Sequence, residues 1–231
     1  MSKVAWIIFG AVIVLVLGGL IAYSRINSPS ADVKDINSAS IVGASDANGN
    51  IADHVYGNTE SKVLLIEYGD FQCPSCGAAH PQIKELAEEY KDRIGFVFRN
   101  FPLTSIHPNA RAASAAVEAA GLQGKYWEMH DLVFESQNEW SSITDGTQRT
   151  NIFVGYAESL GLNKDQFTTD LAASTVNQKI SFDQALGKKL GVNATPTFYI
   201  NNDKVSDEAS SSAVQGDTTA LKTLIDAALA K

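Results

Sequence analysis

Several hydrophobic patterns succeed one another along the chain. From Val4 to Tyr23, "VAWIIFGAVIVLVLGGLIAY" contains no charged residue. At about 1.5 Å of rise per residue, a helix of this length matches the roughly 30 Å hydrocarbon core of a bilayer. Trp6 and Tyr23 stand near its ends, where amphipathic rings favour the membrane interface. A cleaved signal peptide is the competing reading, because "AYS" loosely fits a cleavage site. The apolar region of a signal runs about 7 to 15 residues, and this one is longer. Residues 1–24 therefore read as an uncleaved transmembrane anchor. Lys3 before the span and Arg25 and Lys34 after it leave the positive-inside signal nearly balanced.

Residues 25–51 are rich in Ser, Asn, Asp, Ala and Gly and lack sustained periodicity, which predicts a flexible linker. The pattern then becomes that of a folded α/β domain over residues 52–231. "KVLLIEY" (Lys62 to Tyr68) has the length and flanks of a buried strand. A helix comes next, to about Arg93, with Ile83, Leu86, Ala87 and Tyr90 at helical spacing. "IGFVFRNF" (Ile94 to Phe101) is a second strand. Strand, helix, strand in this span predicts a βαβ unit with parallel strands. From about 104 to 187 the pattern is helical, with Gly121 as a stop and Asn163 as a cap. It returns to β at "TPTFYI" (Thr195 to Ile200) and around Lys204 to Ser206. A last amphipathic helix, capped near Asp217 or Thr218, carries Leu221, Leu224, Ile225 and Leu229. A helical block between two β halves reads as an insertion into one α/β core.

The net charge of −8 argues against a nucleic-acid footprint, which needs clustered Lys and Arg. No dimerisation element stands out, so a monomer is expected.

The candidate chemistry lies in "FQCPSCGAAHP", which holds both cysteines of the chain, Cys73 and Cys76. A metal centre needs three or four ligands, and the nearest histidine, His80, is one turn further on. A permanent disulfide across two intervening residues closes a tiny loop and restrains the unfolded chain little. A redox dithiol suits the setting better. Placed after a buried strand and at the opening of a helix, the first sulfur meets unpaired N–H groups that stabilise a thiolate. Pro74 fits the first helical turn, and the i, i+3 spacing brings the second sulfur within reach. Cys73 is then the attacking sulfur and Cys76 the resolving one.

"HVYGNTESKVLLIEYGDFQCPSCG", "FVFRNFPLTSIHPNARAASAAVEAAG", "GKYWEMHDLVFESQNEW" and "GVNATPTFYIN" resemble the DsbA-like branch of the thioredoxin superfamily. The resemblance covers roughly Ile51 to the C-terminus. It implies a thioredoxin fold with an inserted helical subdomain and thiol–disulfide exchange outside the cytoplasm. It implies no bound cofactor or metal. On the matching positions it makes Cys73 the nucleophile and Cys76 the resolving thiol. Thr195-Pro196 matches the loop whose cis-proline faces the cysteines and whose backbone pairs with substrate. Glu67 matches an acidic residue beneath the active site, able to exchange protons with Cys76. Pro74 and Ser75, between the cysteines, complete the expected contact surface. The implied partners are unfolded or reduced client proteins and a membrane protein that passes electrons to quinone.

Other polar residues read as structural. Asp70 is expected in a turn, and His80 on the surface of its helix. His54, His107 and His130 lack any nucleophile beside them. Pro81 is expected to kink its helix. Asn193 opens a sequon-like "NAT" that is discounted beside the presumed active-site strand. Pro74-Ser75 supplies no imidazole to stabilise a reduced thiolate, and Thr195 precedes the proline as in isomerising and reducing relatives. A couple less oxidising than the strongest family members is the expectation. A reductase or isomerase, or a redox-inert binding module, remain as alternatives.

Overall fold

The computed structural model describes residues 32–231. The apolar stretch 4–23 lies outside them. Among the described residues no helix is long and apolar enough to cross a membrane.

Five strands form one sheet in the order β1-β3-β2-β4-β5. They are β1 (Val55–Gly57), β2 (Leu64–Gly69), β3 (Gly95–Asn100), β4 (Thr197–Ile200) and β5 (Asp203–Lys204). β2 pairs parallel with β3 and antiparallel with β4, and the outer strands β1 and β5 are antiparallel to their neighbours. Between β2 and β3 runs α1 (Pro74–Tyr90), the expected crossover. The inserted block holds α2 (Ala110–Gly121), α3 (Tyr126–Glu135), α4 (Gln137–Trp140), α5 (Gly146–Ser159), α6 (Lys164–Asp170) and α7 (Ser174–Lys189). The chain closes with α8 (Asp207–Val214) and α9 (Thr219–Leu229).

Every residue of β2 is buried, because helices cover both faces of the sheet. Leu65 packs in one apolar cluster with Ile83 and Leu86 of α1. Leu64, Ile66 and Tyr68 pack in another with Phe182 and Leu186 of α7. Successive strand side chains point to opposite faces, so Glu67 shares the face of Leu65, under α1.

Three expectations change. Residues 32–51 are a strap packed on the domain rather than a free linker. Val33 and Val42 are buried in the α7-side cluster, and a short 3-10 turn, Asp46–Asn48, is closed by a reciprocal cap between Ser45 and Asn48. The strap's carbonyls accept from two cations, the buried Arg99 and the exposed Lys189. Arg99 donates to the carbonyls of Ser38 and Ser40 at 2.5 and 2.8 Å. Lys189 donates to those of Val33, Lys34 and Ile36 at 2.7 to 2.9 Å. Composition could not reveal this, because the partners lie far along the chain. Secondly, β1 and α8 were not legible: β1 has three residues, and "DEASSSAV" buries only Ala209, Ser210 and Ala213. Thirdly, Ser206 lies outside β5 and caps α8, its hydroxyl accepting from the Ala209 N–H at 3.2 Å.

Arg99 is fully buried and also pairs with Asp53 at 2.7 Å, while Lys179 bridges Asp53 and Asp183 at 2.8 and 2.7 Å. Removing one member leaves uncompensated buried charge. Arg99→Ala is expected to lose about 3–5 kcal/mol in urea unfolding and to raise amide exchange in residues 38–42. A loss below about 1 kcal/mol, within the range of ordinary substitutions, would contradict this anchoring role.

Candidate active site

The site is built where β2 ends and α1 begins. Gly69 is the last residue of β2, and a braced turn carries the chain to Cys73, the N-cap of α1. Asp70 holds that turn. Its carboxylate accepts from the backbone N–H of Gln72 and of Leu103, each at 2.8 Å, and contacts His107 Nδ1 at 2.8 Å. Gln72 bridges to the insertion, donating to the Ser141 carbonyl and accepting from the Asn109 N–H. From α4, Gln137 donates to the carbonyls of Phe71 and Cys73 at 2.7 and 3.0 Å. Gly77 lets Gln137 approach this closely, since a Cβ there would sit 2.7 Å from its side chain. The bracing by Gln72, Asn109 and Gln137 escaped sequence reasoning, because no local spacing links them to the cysteines.

Both cysteines are free thiols, so the structure holds the dithiol form. The two sulfurs differ in surroundings. Cys73 is 7% exposed and lies beside the exposed Pro74 and Ser75, while Cys76 is 1% exposed and faces the core. The Cys73 thiol is lowered to about 5. Its main cause is the hydrogen bond from Cys76, with the amide N–H groups of Cys76 and Ser75 adding to it at the helix N-terminus. Cys76 is raised well above the usual thiol range by burial first, then by its bond to Cys73 and the charge of Glu67. The geometry thus sorts the pair into a ready thiolate and a protonated reserve.

Thr195 and Pro196 come to Cys73 from the far end of the chain. Their peptide bond is cis, and the Cys73 thiol donates to the Thr195 carbonyl at 3.3 Å. A groove of about 350 Å³ runs beside it, lined by Ser75, Thr195, Pro196, Ser211, Val214 and Gln215. Pro74 occupies the first position of α1.

Glu67 lies below, with Phe98 and Phe198 beside it in the sheet. It is 4% exposed, and burial raises its carboxyl to about 8, with the neighbouring Cys73 thiolate adding to the shift. It also lines a cavity of about 440 Å³ between α1 and α3, together with His80, Ile83, Phe96, Trp127 and His130. Neither cysteine lines that cavity.

His80 is not on the surface. It is 6% exposed and stacks on Phe134, with ring centroids 5.0 Å apart. Burial, and then the neighbouring His130, hold it down at about 4, so the ring is neutral at physiological pH. The reason is tertiary: α3 covers the flank of α1 that helical periodicity left polar. Pro81 is accommodated inside α1, which continues to Tyr90.

Comparison with known proteins agrees with this architecture. A family model described as Thioredoxin matches residues 49–220, and the chain belongs to that family. The oxidised form of BdbD from Bacillus subtilis superposes with a TM-score of 0.66 at 22% identity, covering 83% of this chain and 100% of that one. Alpha-DsbA1 from Wolbachia pipientis superposes with a TM-score of 0.60 at 25% identity, covering 77% and 91%. These neighbours share the chain's thioredoxin fold with its inserted helices. In sequence, a 149-residue stretch is 42% identical to the Na(+)/H(+) antiporter NhaA 1 of Salinispora arenicola. That match takes in 64% of this chain but only 22% of the antiporter, so the chain spans about a fifth of that relative's length.

The two titrations should be separable. Because the Cys73 pKa is lowered, its thiolate is present above about pH 5 and is lost as pH falls through that value. Alkylation of the reduced protein by iodoacetamide should therefore rise with a midpoint near 5. A second inflection near 8 should report Glu67, and Glu67→Gln should remove it while leaving the first in place. A single inflection near the ordinary thiol value of about 8.5 would show that the N-terminal setting does not stabilise Cys73.

Proposed function

We propose that the protein forms disulfides in reduced or unfolded client proteins outside the cytoplasm, held at the membrane by residues 4–23. The observation that carries this reading is the stabilised thiolate of Cys73 beside the Thr195-Pro196 loop and its groove. Stabilising the thiolate stabilises the dithiol form, and that makes the disulfide form an oxidant.

In the first step a client thiolate attacks Cys73 Sγ of the Cys73–Cys76 disulfide. Cys76 leaves with the bonding electrons, and its high proton affinity draws a proton from the Glu67 carboxyl. A second client thiolate then attacks the client sulfur of the mixed disulfide. Cys73 leaves as a thiolate, needing no proton because its pKa lies near 5. The client loses two electrons and two protons, and the Cys73–Cys76 pair gains the electrons. A membrane protein that hands electrons to quinone would restore the disulfide. A tether at residues 4–23 would raise the local concentration near that partner.

Pro74-Ser75 supports a couple of intermediate strength, since it brings no imidazole to the thiolate. The expected reduction potential lies between about −270 mV, the thioredoxin value, and about −120 mV, the value of the strongest oxidant of this kind. This keeps a reductase or isomerase as the second reading. The state of the pair in living cells decides between them. Acid quenching and then thiol alkylation should find Cys73 and Cys76 mostly oxidised, and a mostly reduced pair would make the protein a reductase or isomerase. A Cys76→Ser variant should accumulate clients as mixed disulfides on Cys73. If it captures none, the site is redox-inert toward proteins and the fold serves as a binding module.

A further inference from the structure

We propose that His80, His130 and Asp131 form a transition-metal site, suited to Zn²⁺, that ties the helix carrying the cysteine pair to the helical insertion. His80 lies on α1, one turn beyond Cys76, and His130 and Asp131 lie on α3. One donor atom from each falls within 4.8 Å of those of the other two. His80 Nε2 is 3.8 Å from Asp131 Oδ1, and His130 Nδ1 is 3.0 Å from the same oxygen. A tetrahedral zinc at about 2.0–2.1 Å from each donor needs donors about 3.3 Å apart, a value between those two distances.

The donors themselves point to a ligand. Both imidazole side chains are 5% exposed, and His80 Nε2 has no hydrogen-bond partner although it faces Asp131. A buried ring nitrogen left without a partner is costly, and a bound cation would remove that cost. Two imidazoles and a carboxylate form a nitrogen–oxygen set that suits zinc better than calcium or magnesium. Glu135 offers a fourth donor. It sits one turn after Asp131, with Oε1 4.0 Å from His80 Nε2. Lys84 competes for this position, since its Nζ lies 2.9 Å from Asp131 Oδ2 and 2.8 Å from Glu135 Oε1. It is half-exposed and bonds the other oxygen of Asp131; Oδ1 is hydrogen-bonded to His130 Nδ1 at 3.0 Å, a contact that a metal held by both atoms would replace. Entry is through the cavity between α1 and α3, which His80, His130, Asp131 and Lys84 all line. Neither cysteine belongs to the cluster, so this site is separate from the redox centre.

The test uses the full chain in detergent with both thiols blocked by oxidation to the Cys73–Cys76 disulfide, so that neither sulfur is free to bind metal. Zn²⁺ competed against a chromophoric chelator should bind at one equivalent. His80→Gln and Asp131→Asn should each weaken binding by at least about tenfold, the smallest loss typical when even an indirect partner of a metal site is removed. Lys84→Met, on the exposed side, should tighten binding by removing the competing cation. In the unsubstituted blocked protein, Co²⁺ should give the intense visible bands of a four-coordinate site without thiolate charge transfer. Failure of the blocked protein to bind Zn²⁺, binding unaffected by His80→Gln, or weakened binding in Lys84→Met would each overturn the proposal. So would a weak, six-coordinate cobalt spectrum.

Discussion

The central strand β2 is covered by helices on both faces, and a strand so placed has no freedom of register. A slip of one residue would send Leu65 to the α7 face and turn Tyr68 toward α1. Fixing β2 also fixes the next segment of the chain. Glu67 is committed to the α1 side, and the turn after Gly69 must deliver Cys73 to the start of the helix. The reactive end of the molecule is therefore set by packing at its middle.

From that placement comes the division of labour between the sulfurs. Three residues apart on one helix, Cys73 and Cys76 would be chemically alike in water. Here Cys73 meets N–H groups and lies nearer the surface, whereas Cys76 meets the side of the core that holds Glu67. The same desolvation that raises Cys76 also raises Glu67 to about 8. A carboxyl in that condition can hold its proton near neutral pH and release it when the neighbouring sulfur becomes basic.

The helical insertion does more than cover the sheet. Gln137 and Asn109 hold the turn before Cys73, and α3 brings His130 and Asp131 to the flank of α1. At the opposite face the strap of residues 32–51 is secured through Arg99 and Lys189, which donate to its carbonyls, Arg99 also pairing with Asp53. The site thus draws on residues spread over most of the described chain, although its two sulfurs lie within one turn.

Much of this was legible in the sequence where the signal is local. Apolar runs such as "KVLLIEY" and "IGFVFRNF" are strands because burial on two faces demands continuous hydrophobic residues. The Cys73–Cys76 spacing and Pro74 identify a helix N-terminus bearing a dithiol, because dipole and reach depend only on nearby atoms. The helical insertion announced itself through composition. The features that sequence reasoning missed depend on partners that lie far away. A Ser- and Asn-rich strap looks free until Arg99 and Lys189 are known to meet its carbonyls. His80 looks solvated until α3 lies over it, and α8 has too small a buried face to stand out. Sequence by itself determined which atoms could do the chemistry, since reactivity begins with residue type and local spacing. Only the tertiary structure decided which sulfur lies nearer the surface, how high Glu67 is driven and what His80 faces, because desolvation and long-range contacts belong to the folded chain as a whole.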